Sequence, residues 1–222
     1  MTLSRSVAVP GMTGEYDTFG ELIESLSPDQ WESRTRCEGW TVADVAGHVV
    51  GQLTDVVALR LEGLGTPEVT ARQVGERRGR TQAQLVDELM AGTKLASDLV
   101  SSFDDEGWEG ASPGGVGGTV GSGIEALWYD TYLHADDIRH ALGIPSVRGE
   151  GDVASLSHIA QLLTEQGWGP ADLRFGDLES FPVSGGGGQH IQGDALQFIL
   201  AATGRSDPST IGLDDTVNVY RT

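Results

Sequence analysis

Residues 37–65 read CEGWTVADVAGHVVGQLTDVVALRLEGLG, and this stretch decides the architecture. Val45, Val49 and Leu53 recur at the four-residue spacing of a helix with one buried face. Thr41 stands where an N-cap belongs, with Asp44 three residues on as an acidic form of the capping box. The pattern predicts a helix that starts at Thr41 and is stopped by Gly63 and Gly65. His48 sits inside its apolar stretch, where an imidazole requires a partner.

Working outward, Phe19, Leu22, Ile23 and Leu26 predict an amphipathic helix over about residues 14–26, ended by Ser27 and Pro28. Residues 72–80 are polar and read as a connection, and Leu85, Leu89, Leu95, Leu99 and Val100 mark the next helix. Phe103 and the acidic run behind it close that helix. Six of the eleven residues from Pro113 to Gly123 are glycine, which predicts a long crossover loop, without the spacing of a phosphate-binding loop. A fourth helix follows over residues 123–142, stopped by Gly143 and Pro145. Its inward stripe is Ile124, Leu127, Trp128, Thr131, Ala135, Ile138 and Leu142, with His134 flanking it. These elements make residues 1–148 a four-helix bundle. Residues 149–222 read as a small α/β domain, with helices near 153–166 and 194–203 and a glycine loop at 185–188. Val217, Val219 and Tyr220 suggest a closing strand.

Asp130 and His134 lie four apart on one helix and project from the same face. With His48 they form a set of two imidazoles and one carboxylate from two helices of one bundle. Three protein ligands leave a coordination position open, as in catalytic zinc sites. The alternatives are a surface hydrogen bond for Asp130 and His134 and a satisfied core imidazole for His48. Asp137, nearly one turn beyond His134, is placed to accept the histidine's other ring N–H, or to be a solvated charge. His140 and His158 read as solvent-facing, and His190 lies in a glycine-rich loop. Cys37, the sole cysteine, excludes an internal disulfide and reads as a packed, unreactive thiol.

Against 14 basic residues stand 33 acidic ones, a formal charge of −19 that repels polyanions, so nucleic acid and anionic membrane are excluded as partners. No apolar run approaches the roughly 18 residues needed to span a bilayer, and no secretory signal opens the chain. A reducing cytoplasm is the expected compartment.

Residues 31–49, WESRTRCEGWTVADVAGHV, resemble the first signature of the DinB-like, mycothiol-dependent maleylpyruvate isomerase family, with His48 at its first metal ligand. DTYLHADDIRHALGIP, residues 130–145, is similar to the second, in which an acidic residue and a histidine four later ligate the metal. The family more often has glutamate where this chain has Asp130. QGDALQFILAATGR, residues 192–205, resembles the helix and glycine-arginine ending of the family's C-terminal domain. The resemblance implies a mainly α fold, a DinB-like bundle with a long crossover followed by a small α/β domain. It implies a divalent metal on His48, Asp130 and His134, zinc first and nickel or another ion next, with Asp137 behind His134.

The implied activity is ionisation of a small-molecule thiol, mycothiol, for isomerisation of, or transfer to, a small electrophile. An arginine of the C-terminal domain is expected to hold a substrate carboxylate, which makes Arg221 and Arg174 the candidates. Two other readings fit the same residues: a non-catalytic binding or regulatory protein on this scaffold, and a metal-dependent hydrolase activating water. The chain is expected to act as a monomer or homodimer.

Overall fold

The computed structural model describes residues 3–113 and 118–221. It divides into two compact units, one spanning Ser4–Val147 and the other formed by residues 148–221 together with Leu3.

The first unit is built on four long helices, α1 (Arg5–Glu24), α3 (Val42–Val57), α5 (Gln82–Ser101) and α7 (Val120–Leu142). Shorter helices α2 (Pro28–Trp31), α4 (Pro67–Arg77) and α6 (Asp105–Glu109) join them. Helix α1 packs against α5 and α7, and α3 against the same two, which sets α1 and α3 at opposite corners of a four-helix square. Tyr16, Phe19 and Ile23 of α1, Leu53 of α3, Leu89 of α5 and Trp128, Leu133 and Ile138 of α7 fill the centre. Of the stripe expected on α7, only Leu142 escapes full burial. The contact of α1 with α7 is close because Gly11 has no side chain; a Cβ there would fall 2.0 Å from the Trp128 ring.

Several boundaries differ from the sequence reading, each for a local reason. Helix α1 begins at Arg5, not near residue 14, and absorbs Pro10, whose ring is exposed. Helix α3 starts as expected, with Thr41 and Asp44 in a reciprocal capping box, but ends at Val57 well before Gly63. There the N–H of Leu59 donates to Val56 O and that of Arg60 to Asp55 O, the paired bonds of a Schellman turn. Leu59 takes the left-handed position, φ 56°, that glycine usually fills. The polar stretch at 72–80 is not a connection. Thr66 caps, and Pro67 opens, helix α4 through Arg77, whose periodic signal is faint because it buries only Gln73, Val74 and Arg77. Helix α7 starts at Val120, capped by Thr119 and Ser122; residues 114–117 of the crossover loop lie outside the described residues. It ends where sequence placed it, at Gly143 in the left-handed conformation.

The second unit holds α8 (Glu150–Glu165), a three-stranded sheet and α9 (Ala195–Ala202). Strands β1 (Ala171–Leu173), β2 (Phe181–Val183) and β3 (Gln189–Ile191) lie in the order β2-β1-β3. Strand β1 is antiparallel to β2, pairing Ala171 with Val183, and parallel to β3, pairing Ala171 with Gln189. Residues 217–220 do not form the expected strand. Asp214 accepts the N–H of Thr216 and winds Asp215–Val217 into a 3-10 turn, and one bond from Val219 N–H to Ala202 O ties the end down. No helix among the described residues is long and apolar enough to cross a membrane.

Candidate metal centre

His48 on α3 and Asp130 and His134 on α7 meet inside the bundle, their ligand atoms all within 4.8 Å of one another. His48 Nε2 is 3.5 Å from Asp130 Oδ2, and His134 Nε2 is 3.6 Å from Asp130 Oδ1. The imidazoles stand edge to face, centroids 5.0 Å apart. Both histidines are buried and Asp130 is half-buried.

The opposite nitrogen of each ring is already engaged. Nδ1 of His134 lies 2.9 Å from Asp137 Oδ2, and Nδ1 of His48 lies 2.9 Å from Gln73 Oε1. A carboxylate and an amide oxygen accept only, so each Nδ1 donates and each Nε2 is the ring nitrogen turned toward Asp130. Ligands held at about 2.1 Å from a tetrahedral ion lie roughly 3.4 Å apart, close to the separations from Asp130 to the two histidines. The donor set therefore fits a divalent cation, and two imidazoles with one carboxylate suit zinc and its neighbours in the first transition row.

The outer partners are themselves held. Gln73 Nε2 donates to Asp55 Oδ2 at 2.7 Å, Arg72 Nη2 donates to the same oxygen at 2.6 Å, and Arg60 pairs with Asp55 Oδ1 at 2.6 Å. Burial raises the Asp55 pKa, but these bonds outweigh it and hold the carboxyl below its ordinary range. Gln73 reaches His48 because α3 offers α4 a glycine face: a Cβ on Gly51 would stand 2.7 Å from Gln73 Cβ, and one on Gly47 3.2 Å from Arg77 Cβ. Behind His134, Asp137 accepts Arg36 Nε at 2.6 Å, and Arg36 also binds Asp136 at 2.7 Å.

Cys37 is no bystander in the core: half-buried, it donates from Sγ to Asp137 Oδ2 at 3.1 Å and joins a second cluster with His134. Trp40 packs on both ligand rings, at 5.3 Å from His48 and 6.1 Å from His134. Tyr16 is fully buried near Asp130. Burial drives its phenol pKa up and the Asp130 charge raises it further, so it stays protonated.

The remaining sequence candidates are not members of this cluster. His140 is exposed, and His158 is half-buried where solvent exposure was expected, because α8 packs that side against its unit. His190 lies 3.6 Å from Asp172 across β1 and β3, and Arg174, two residues along the chain, lies 3.3 Å from it. Arg221 is exposed near the end of the second unit, where its charge acts on Asp214. Gln73, Arg36 and Trp40 were not singled out from sequence. Trp40 and Arg36 lie inside the first signature, whereas Gln73 had no signal beyond its place in a polar segment.

Two solved structures share this fold. One is a histidine-to-alanine variant of the mycothiol-dependent maleylpyruvate isomerase, with TM-score 0.64, 14% identity and 96% of each chain covered. The other is the mycothiol-dependent maleylpyruvate isomerase itself, with TM-score 0.62, 16% identity and the same coverage. No curated protein matches the chain in sequence. Residues 13–139, which hold all three converging side chains, match the mycothiol maleylpyruvate isomerase N-terminal domain, and the chain belongs to that family.

Proposed function

We propose that the chain is a divalent-metal enzyme that uses a low-molecular-weight thiol, mycothiol, against a small electrophile. The observation that carries this reading is the convergence of two Nε2 lone pairs on the Asp130 carboxylate, with both Nδ1 protons committed elsewhere. A divalent cation at such a site ionises a coordinated thiol near neutral pH.

The chain's own residues do the rest. Gln73 and Asp137 fix the tautomers, so neither imidazole turns its N–H inward. Arg36 offsets the Asp137 charge, and Trp40 covers both rings. Three ligands leave room for one exogenous donor. The reaction class is addition of the thiolate sulfur to a conjugated carbon, moving the electron pair onto the substrate's carbonyl. Expulsion of the thiolate after bond rotation gives cis/trans isomerisation, whereas protonation of the carbanion leaves the thioether of a transferase. Zinc is the cation we favour and the cytoplasm the compartment.

The test is metal content by mass spectrometry on untagged protein, repeated on His48→Ala and His134→Ala, followed by turnover with mycothiol and maleylpyruvate. About one equivalent of metal lost in both variants, with turnover that needs the thiol, supports the reading. Absence of stoichiometric metal even after zinc addition rejects it, and turnover without thiol points to hydrolysis instead.

A further inference from the structure

Asp55 lies seven residues after His48 on α3, just under two turns, and so returns to the side of the helix that carries the imidazole. It is a carboxylate with no exposed surface, a placement that costs free energy unless its oxygens are engaged. Oδ1 pairs with Arg60, and Oδ2 accepts from Arg72 and from Gln73 Nε2. Burial raises its pKa, but the bonds from Arg72 and Gln73 outweigh burial, so the group is ionised and has no O–H to give.

The two histidines differ in what stands behind them. His134 Nδ1 meets Asp137, a carboxylate that accepts through either oxygen and has no wrong way round. His48 Nδ1 meets an amide, which offers an acceptor at one end and a donor at the other. Turned end for end, Gln73 would present an N–H to His48 Nδ1. The ring would then have to carry its proton on Nε2, the nitrogen 3.5 Å from Asp130. The His48–Gln73 pair cannot select between the two arrangements, since each makes one hydrogen bond. Asp55 can, because the turned amide would set Oε1 against Oδ2 across the 2.7 Å that a hydrogen bond now spans. Loss of one hydrogen bond to a charged group amounts to a bias of about ten- to hundredfold, before the repulsion between the oxygens is added.

We infer that Asp55 is a positioning residue for the metal centre: it orients the Gln73 amide, the amide fixes the His48 tautomer, and Nε2 is thereby left unprotonated for a divalent cation. The inference rests on the proposed metal reading and extends it to a residue that acts through Gln73.

The test reads the tautomer by nitrogen-15 NMR of the imidazoles in metal-free, full-length protein at about pH 8.5, well above the ordinary histidine pKa of roughly 6.5. A His48→Gln variant identifies the His48 signals. Wild type should show Nδ1–H alone. Asp55→Asn keeps the shape but lets residue 55 donate, so Nε2–H should appear and zinc affinity should fall about tenfold, the low end for an outer partner. Asp55→Asn combined with Gln73→Glu moves the carboxylate one link along the chain of bonds. It then accepts from the amide at 55 and from His48 Nδ1–H, and both the tautomer and the zinc affinity should return. A role confined to holding α3 against α4 predicts no such recovery, because the double variant still lacks the charge that pairs with Arg60 and Arg72. Nε2–H in wild type, Nδ1–H alone in Asp55→Asn, or a double variant that stays at Nε2–H overturns the inference; the first of these needs no substituted protein to fold. A tautomer that moves as expected while zinc affinity holds at the wild-type level overturns the link to the metal centre. The same tautomer changes in protein that takes up no zinc in any form uphold the hold of Asp55 on His48 and defeat the metal reading instead.

Discussion

Gln73 and His48 meet across two helices, the amide Oε1 of one 2.9 Å from the ring Nδ1 of the other. Helix α4 thereby sets which nitrogen of His48 faces Asp130.

Replacing Gln73 by leucine keeps the volume and removes the acceptor. Partners of this kind cost about 10–100-fold in metal affinity when lost. Competition titration with a chelating indicator should show a drop in that range with the helical content unchanged. Wild-type affinity in Gln73→Leu would mean that packing alone orients the ring.

Gly51→Ala puts a methyl 2.7 Å from Gln73 Cβ and 2.8 Å from Arg77 Nη1, so α4 must move outward. Overpacking of this size costs about 1–3 kcal/mol. Urea unfolding should report the loss, and zinc affinity should fall alongside it because Gln73 moves with the helix. A stability loss with affinity intact would separate the two helices' contact from the metal centre.

Asp130→Glu keeps the carboxylate on an arm one methylene longer, whereas Asp130→Ala removes a proposed ligand. The first should retain one equivalent of metal. The second should lose more affinity than Gln73→Leu does, beyond the roughly 10–100-fold typical of an outer partner. Equal behaviour of the two variants would remove Asp130 from the ligand set.

Glu15 is half-buried on α1, and burial raises its pKa, opposed by the bond from Trp128 Nε1 and by the Arg139 charge. A carboxyl whose folded pKa exceeds its unfolded value destabilises the native state wherever both states are ionised. Glu15→Gln should therefore raise the melting temperature at pH 7, since glutamine still accepts from Trp128. The gain should fade as pH falls through the raised value and vanish below about 4, where the wild-type carboxyl is protonated in both states. A gain that is the same at pH 7 and pH 3.5 would point to packing rather than charge.

The long helices were legible because each buries a broad apolar face, and the spacing of Asp130 and His134 fixed their common direction. The capping pair Thr41 and Asp44 placed the start of α3 to the residue. Helix α4 was not legible. Its contribution is a polar one, made through Gln73 and Arg77 against glycines, and hydrophobic periodicity is blind to that. The end of α3 was misplaced because a leucine, not a glycine, takes the left-handed position. The apparent strand at 217–220 failed for a related reason: alternation in a short segment gives way to a capping aspartate, Asp214. The converging residues His48, Asp130 and His134 could be named one by one, but the contacts of Cys37 with Asp137 and of Trp40 with both rings exist only once the chain has folded.

Helix α3 has little room for change. Eleven of its sixteen residues are buried, one side holding His48 towards α7 and the other giving its glycines to α4. A library meant to alter what the protein accepts would waste most of its members there. Sequence change on this scaffold should be scarcest on α3, because both of its sides are already committed.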